Sequence, residues 1–311
     1  MHTASGRWKL GLVLTLLVVL LWGLLPIVLK ALLQGMDAFT ITWYRFLAAA
    51  ALLAILVRRR RGLHSWRQFR RTGVGLLAAG CVGLCGNYIF YLLGLKFLTP
   101  STAQVVIQLA PMFLVLGGVV IYREHYSWMQ WTGLGTLILG LVLFFNRGLI
   151  DLVTRFDAYT GGVLLIIAAA VTWAAYGLAQ KQLLKSFSSE AILFMIFSFG
   201  AAAFLPLAEP KALLHLSTVH LLLLIFSALN TLFAYGCFAE ALNHWEASRV
   251  SAVLATVPLM TMAFVQIFSR VVPQLVPREE LTALSLSGAV LVVLGSMTSA
   301  LGRKRRAAER L

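Results

Sequence analysis

Residues 94–111 read GLKFLTPSTAQVVIQLAP, and residues 241–258 read ALNHWEASRVSAVLATVP. At a constant offset of 147, Gly94-Leu95 meets Ala241-Leu242, Ser101 meets Ser248 and Pro111 meets Pro258; just upstream, Tyr88 meets Tyr235. Working outward, Trp22 and Lys30 find partners in Trp173 and Lys181 at an offset of 151. Glu124, Gly133 and Gly140 find theirs in Glu279, Gly288 and Gly295 at 155. The offset drifts only across loops, notably through an insertion at 270–277 that contains two prolines. Apolar segments resemble one another by chance, so each pair is weak alone. A shared order along the whole chain is the mark of an internal duplication.

The duplicated units are apolar. Of 311 residues, 60% are hydrophobic and 12% charged, against about 45–50% and 25% in soluble proteins. The mean hydropathy is +0.88, and no water-soluble surface can be built from the remainder. About 20 apolar residues carry a helix across the hydrocarbon core. Stretches that meet or approach this length lie at 10–33, 38–57, 72–95, 99–122, 127–146, 158–184, 187–207, 218–242, 246–269 and 280–302. They are continuously apolar rather than alternating, which argues against a transmembrane barrel. The expectation is an all-α integral membrane protein of ten transmembrane helices. Five per repeat is odd, so the second copy enters the membrane from the opposite face. The expected organisation is a short tail (1–9), a first repeat (10–146), an outer linker (147–157), a second, inverted repeat (158–302) and a basic tail (303–311). The start, Arg7 and Lys9 before an apolar run, imitates a signal peptide, but the run is too long and no small-residue cleavage pattern follows.

Charge gives the orientation. The 26 Lys and Arg outnumber 11 Asp and Glu, which in a soluble protein would suggest nucleic acid. With the N-terminus inside, the inner segments collect Arg7 and Lys9, the arginines at 58–61, 67, 70 and 71, Arg123, Lys181, Lys185, Arg249 and the 303–310 cluster. The outer loops keep Lys96, Arg147, Arg155, Lys211, Arg270 and Arg278. A bias of about three to one places both termini in the cytoplasm, and the basic tail reads as an anchor on anionic lipid.

Inverted repeats are a recurrent architecture of secondary transporters, with the site at the repeat interface. The segments Trp22-Gly23 through Lys30, Trp43-Tyr44-Arg45-Phe46-Leu47-Ala48, Gly94-Leu95 through Ser101 and Pro111, then Glu124, Gly133 and Gly140 resemble bacterial drug/metabolite transporters of the EamA type. The resemblance runs from about residue 10 to 302 and specifies family better than substrate. It implies a ten-helix carrier in the bacterial inner membrane, moving small metabolites, often outward. A central cavity lined mainly by helices 1, 3, 4, 6, 8 and 9 is expected.

Polar groups that persist in hydrocarbon face a cavity or a partner helix. Ser101, Gln104, Gln108 and Pro111 share a helix face by their spacing, and the two amides read as cavity lining or as interhelical glue worth about 0.6 kcal/mol per contact. Ser251 and Ala255 replace those amides in the second repeat, so the cavity is expected to be polar on one side and smooth on the other. Asn87, Tyr88 and Tyr91 precede this face, with Asn230 and Tyr235 as the second set; the tyrosines compete with an interfacial-belt role. Trp22 and Trp173 sit too deep for a belt and read as cavity walls, suited to flat organic molecules or cations. Pro26, Pro111 and Pro258 are expected to interrupt their helices as hinges. Arg45 lies about 12 Å into its span; it binds a substrate carboxylate or, more economically, pairs within the protein. Glu240 is a coupling candidate if burial raises its proton affinity, and otherwise snorkels to the surface. Glu124 and Glu279 precede spans and suit the positive ends of those helices.

Much is absent from the sequence. There is no phosphate loop, ATP motif or metal-ligand cluster; Cys81 and Cys85, four residues apart, lack a third ligand. The six histidines are scattered at tails, loops and span ends, which argues against a lipid-modifying enzyme. A passive channel would call for rings of charge or carbonyl loops. The expected partners are a small-molecule substrate and the bilayer, with a homodimer allowed, no nucleic acid and no cofactor.

Overall fold

In hydrocarbon a backbone must satisfy its own hydrogen bonds, and an unbroken apolar run does so as a helix. The computed structural model describes residues 7–59, 73–123, 127–146 and 157–301. Much of the basic segment at 58–71, Glu124, nearly all of the 147–157 linker and the 303–311 tail lie outside these residues. The described helices are α1 (Trp8–Leu32), α2 (Ala38–Arg59), α3 (Val74–Phe97), α4 (Pro100–Val106), α5 (Leu109–Tyr122) and α6 (Trp128–Phe144). They continue with α7 (Ala158–Leu183), α8 (Ser189–Phe204), α9 (Thr218–His244), α10 (Ala247–Leu254), α11 (Val257–Val271) and α12 (Ala283–Leu301). No strand occurs among the described residues. Thr99, Ser127, Asp157, Ser188 and Ser217 cap α4, α6, α7, α8 and α9, each accepting from a first-turn amide.

The described part of each stretch expected to be helical is mainly helix. Among the described residues nine are long and apolar enough to cross a membrane, counting α4 with α5 and α10 with α11, while α6 has 17 residues. The two composite stretches are broken at matching places. Proline removes an amide and crowds the carbonyl four residues earlier; for Pro111 and Pro258 those are residues 107 and 254. There the ladder tightens, with the Gln108 amide donating to Val105 (3.2 Å) and the Thr256 amide to Val253 (3.0 Å). Pro26 corrects the expectation, because α1 runs through it without interruption. The break after Val106 leaves Ser101 and Gln104 on α4, Gln108 in the break itself and Pro111 in the first turn of α5.

The helices pack as antiparallel pairs set by small residues. In the α6–α12 pair, a Cβ on Gly133 would stand 2.7 Å from the Gly295 oxygen, and one on Gly140 would stand 2.7 Å from the Gly288 oxygen. In the α3–α7 pair, Gly83 lies against Thr172 and Tyr176, and Gly94 against Gly162 and Ile166. Residues with Cβ atoms cannot approach this closely, which is the packing role of small residues in membrane helices. Along α1 and α9, Gly11 faces Trp245 and Gly35 faces His220. Phe46 of α2 abuts Gly200 of α8 and stacks within 5.1 Å of Phe197. Near the start of α2, Thr40 Oγ1 accepts from the Glu209 amide, just past α8.

Candidate substrate site

The polar side chains gather inside the bundle around Arg45. This residue is 4% exposed. Its Nε donates to Thr231 Oγ1 on α9 at 3.1 Å, and its Cζ lies 4.6 Å from the centre of the Tyr88 ring. Tyr91 and Tyr235 stand close by. Thr231 spends its own proton on the Ser227 carbonyl (2.9 Å), which leaves its oxygen free to accept from arginine. Tyr91 extends the network to the half-helix α4 by donating to Gln104 Oε1 at 2.9 Å. Tyr235 extends it to α1, where the Trp22 ring lies 5.7 Å from Tyr235 and 5.9 Å from Phe238. A cation, an amide, hydroxyls and aromatic walls thus converge from α1, α2, α3, α4 and α9.

Gln108 occupies the break itself. Its Nε2 donates to the Ala255 carbonyl in the facing break at 3.1 Å, joining the interrupted stretches at the positions related by the 147-residue offset. The asparagines are engaged elsewhere. Asn87 donates to the Ala169 carbonyl of α7 (2.9 Å), and Asn230 to the Leu21 carbonyl of α1 (2.8 Å). Each ties neighbouring helices together, although Asn230 Oδ1 stays buried without a partner. Trp173 packs against the main apolar core, and Ser251 of α10 is exposed. The Glu240 carboxylate, 54% exposed, meets His244 at 3.0 Å and Asn243 at 2.9 Å.

A second polar cluster closes one end of the bundle. Lys30 Nζ donates to the Leu95 and Lys96 carbonyls at the end of α3, at 2.8 and 2.9 Å, the favourable place for a cation. Glu279 is buried, and its Oε1 accepts from the Ser101 amide at the start of α4 (3.4 Å). The expectation that it serves the following helix is corrected, since Thr282 Oγ1 receives the Ser285 amide there (3.1 Å). Burial pushes the Glu279 carboxyl above the usual range, against the opposing pulls of Ser101, Thr99 and Lys30.

The EamA-like transporter family pattern matches the chain twice, over residues 9–146 and 160–301. The chain belongs to the EamA-like transporter family. It is a membrane transporter, not an enzyme. At 38% identity over 296 residues it is similar to the inner membrane transporter YhbE of Escherichia coli K12, covering 95% of this chain and 92% of that one. A transporter of Haemophilus influenzae is also 38% identical, over 95% of this chain and 96% of its own. A Salmonella typhimurium protein described as a "probable amino-acid metabolite efflux pump" is 26% identical, over 95% and 96%. One solved structure shares the fold with a TM-score of 0.59 at 17% identity, covering 95% of this chain and 98% of that one.

Two contributors to this EamA-like site escaped sequence reasoning. Thr231 bonds back to its own helix, as threonines in apolar helices commonly do, and so gives no outward signal. Phe238 is one of many apolar residues on α9. An open cleft of about 760 Å³ on the flank between α11 and α12, lined by Leu259, Met262, Gln266 and Glu279, shares no residue with the Arg45 network.

Proposed function

We propose that this EamA-like transporter is a secondary carrier of small organic metabolites that exports by alternating access between two inverted five-helix repeats. In this reading α6 is the fifth span; 17 residues at 1.5 Å give about 25 Å, close to the hydrocarbon thickness. The observation that carries the proposal is the pair of matched helix breaks joined by Gln108 and Ala255. Interrupted helices that meet near the membrane centre are how transporters build sites between repeats.

The pairing of helices supports the inversion. Exchanging the repeats turns the α1–α9 pair into α7–α3, and returns α2–α8 and α6–α12 to themselves. Both self-related pairs run antiparallel, as Gly133 against Gly295 and Gly140 against Gly288 illustrate. Two copies of one unit related this way thread the membrane in opposite senses. With the N-terminus in the cytoplasm, the Lys30 end faces outward. Six of the seven residues of α4 are buried there, whereas Ser251 and Arg249 of the corresponding half-helix α10 are exposed. This difference supports a state sealed outside and accessible from within, the loading side of an exporter. Export also agrees with the description of the Salmonella relative.

The test is counterflow in proteoliposomes, using a labelled panel of amino acids, amines and aromatic compounds. A carrier accelerates entry of label when the lumen is preloaded with the same compound. Entry that ignores preloading and rises linearly with concentration refutes the carrier. Single cysteines at Lys96 and Arg249 in a cysteine-free background should label from opposite faces; labelling from the same face refutes the topology.

A further inference from the structure

The geometry points to Arg45 as the recognition site for a carboxylate on the transported molecule. This rests on the carrier reading above and narrows its substrate to compounds bearing an acid group. Arginine stays charged when buried and presents a planar fork matched to the two oxygens of a carboxylate. Arg45 is buried in the bundle interior, yet no carboxylate among the described residues pairs with it. Its one hydrogen bond there leaves from Nε, on the side of the fork, toward Thr231. The Nη nitrogens, which make bidentate contacts, have no hydrogen-bond partner among the described residues and are not among the sealed, unsatisfied atoms.

What surrounds the fork fits the remainder of a small organic acid. The Tyr88 ring supports the guanidinium from one face. Tyr91 is tied to Gln104, which fixes a hydroxyl and an amide beside it. Trp22, Tyr235 and Phe238 form the adjoining wall. That wall takes an apolar or aromatic body, and its ring faces accept an ammonium group without a carboxylate partner. Arg45 reaches this place because α2 is held rigidly, with Phe46 locked between Tyr88 and Phe197 at 4.7 and 5.1 Å. A structural arginine would spend its donors on backbone carbonyls or an internal acid. This one holds its position with a single bond and a ring.

The test compares matched compounds on the full-length protein: L-phenylalanine, L-leucine and benzoate against their methyl esters and against phenethylamine. In the wild type, the free acids should compete in counterflow and raise the melting temperature of the detergent-solubilised protein, while the esters and the amine do neither. Esters or amine acting as well as the acids overturns the inference while leaving a carrier in place, and so does an absence of effect from every acid. Absence of counterflow with an acid that does bind strikes the carrier reading instead. Arg45→Gln should raise KM for the acids by about ten- to a hundredfold, the scale of charge-assisted hydrogen bonds. Arg45→Lys should fall between, with both variants inserted at wild-type levels. Should Arg45→Gln fail to fold, the ester comparison on the wild type still decides the matter.

Discussion

Alanine at Gly133 should unseat the α6–α12 pair, and alanine at Gly135 should not. The new methyl at 133 would stand 2.5 Å from the Ser299 nitrogen and 2.7 Å from the Gly295 oxygen. Ordinary contact begins at 3.4 Å, so the helices must part by about 0.9 Å along their seam. Every atom in the way is backbone, and none can swing aside as a side chain would. Overpacking of this kind costs about 1–3 kcal/mol. Gly135, two residues away on the same helix, has nothing within 4 Å of its Cβ position. Alanine there restricts the unfolded chain and gains about 0.4–1 kcal/mol. The siblings should therefore differ by about 1.5–4 kcal/mol in opposite directions. Thermal denaturation in detergent, read by the monodisperse fraction remaining after heating, ranks them directly. Adding Gly295→Ala to Gly133→Ala should cost less than the sum of the singles, because the seam is already open. Equal melting temperatures for Gly133→Ala and Gly135→Ala would refute the close-contact argument.

Other outcomes follow from the site and the closed end. Gln104→Ala combined with Gln108→Ala should lower transport without changing membrane insertion; unchanged transport removes both amides from the pathway. Asn87→Ala should cost about 0.6 kcal/mol of stability and leave KM alone, since its amide serves Ala169 of α7; a shift in KM would make it a substrate ligand. Because burial raises the Glu279 carboxyl above its usual 4.5, the folded protein holds that proton more tightly than the unfolded chain. Its contribution to stability is full below pH 4.5 and is lost as pH climbs through the raised value. Glu279→Gln should flatten that part of a melting-temperature profile, and an unaltered slope would show that the group does not titrate on unfolding.

The span positions and the two helix breaks are legible in the chain because hydrocarbon imposes length and proline imposes its own geometry. Arg45, Tyr88, Tyr91, Gln104, Trp22 and Tyr235 also stand out individually, as polar or large groups where lipid would disfavour them. What the chain conceals is which helix each one faces. Asn87 and Asn230 stand out as polar, but nothing local tells that their amides donate to the backbones of α7 and α1. Glu279 acts across 178 residues on Ser101, a distance that no local pattern encodes. Pro26 carries the same helix-breaking chemistry as Pro111, yet α1 continues through it, so proline marks a candidate break and the surrounding packing decides whether it forms.

The bond from Gln108 to Ala255 has no twin, since alanine occupies the position where a reciprocal glutamine would sit. A machine made of two similar halves would, with perfect twins, rest equally well facing either way. One amide on one side only tilts that balance. Under the alternating-access proposal, its loss during the swing would go unrepaid by a mirror-image contact, and the two facing states would differ in free energy before any cargo arrives. Installing glutamine at 255 would bring the resting populations closer together.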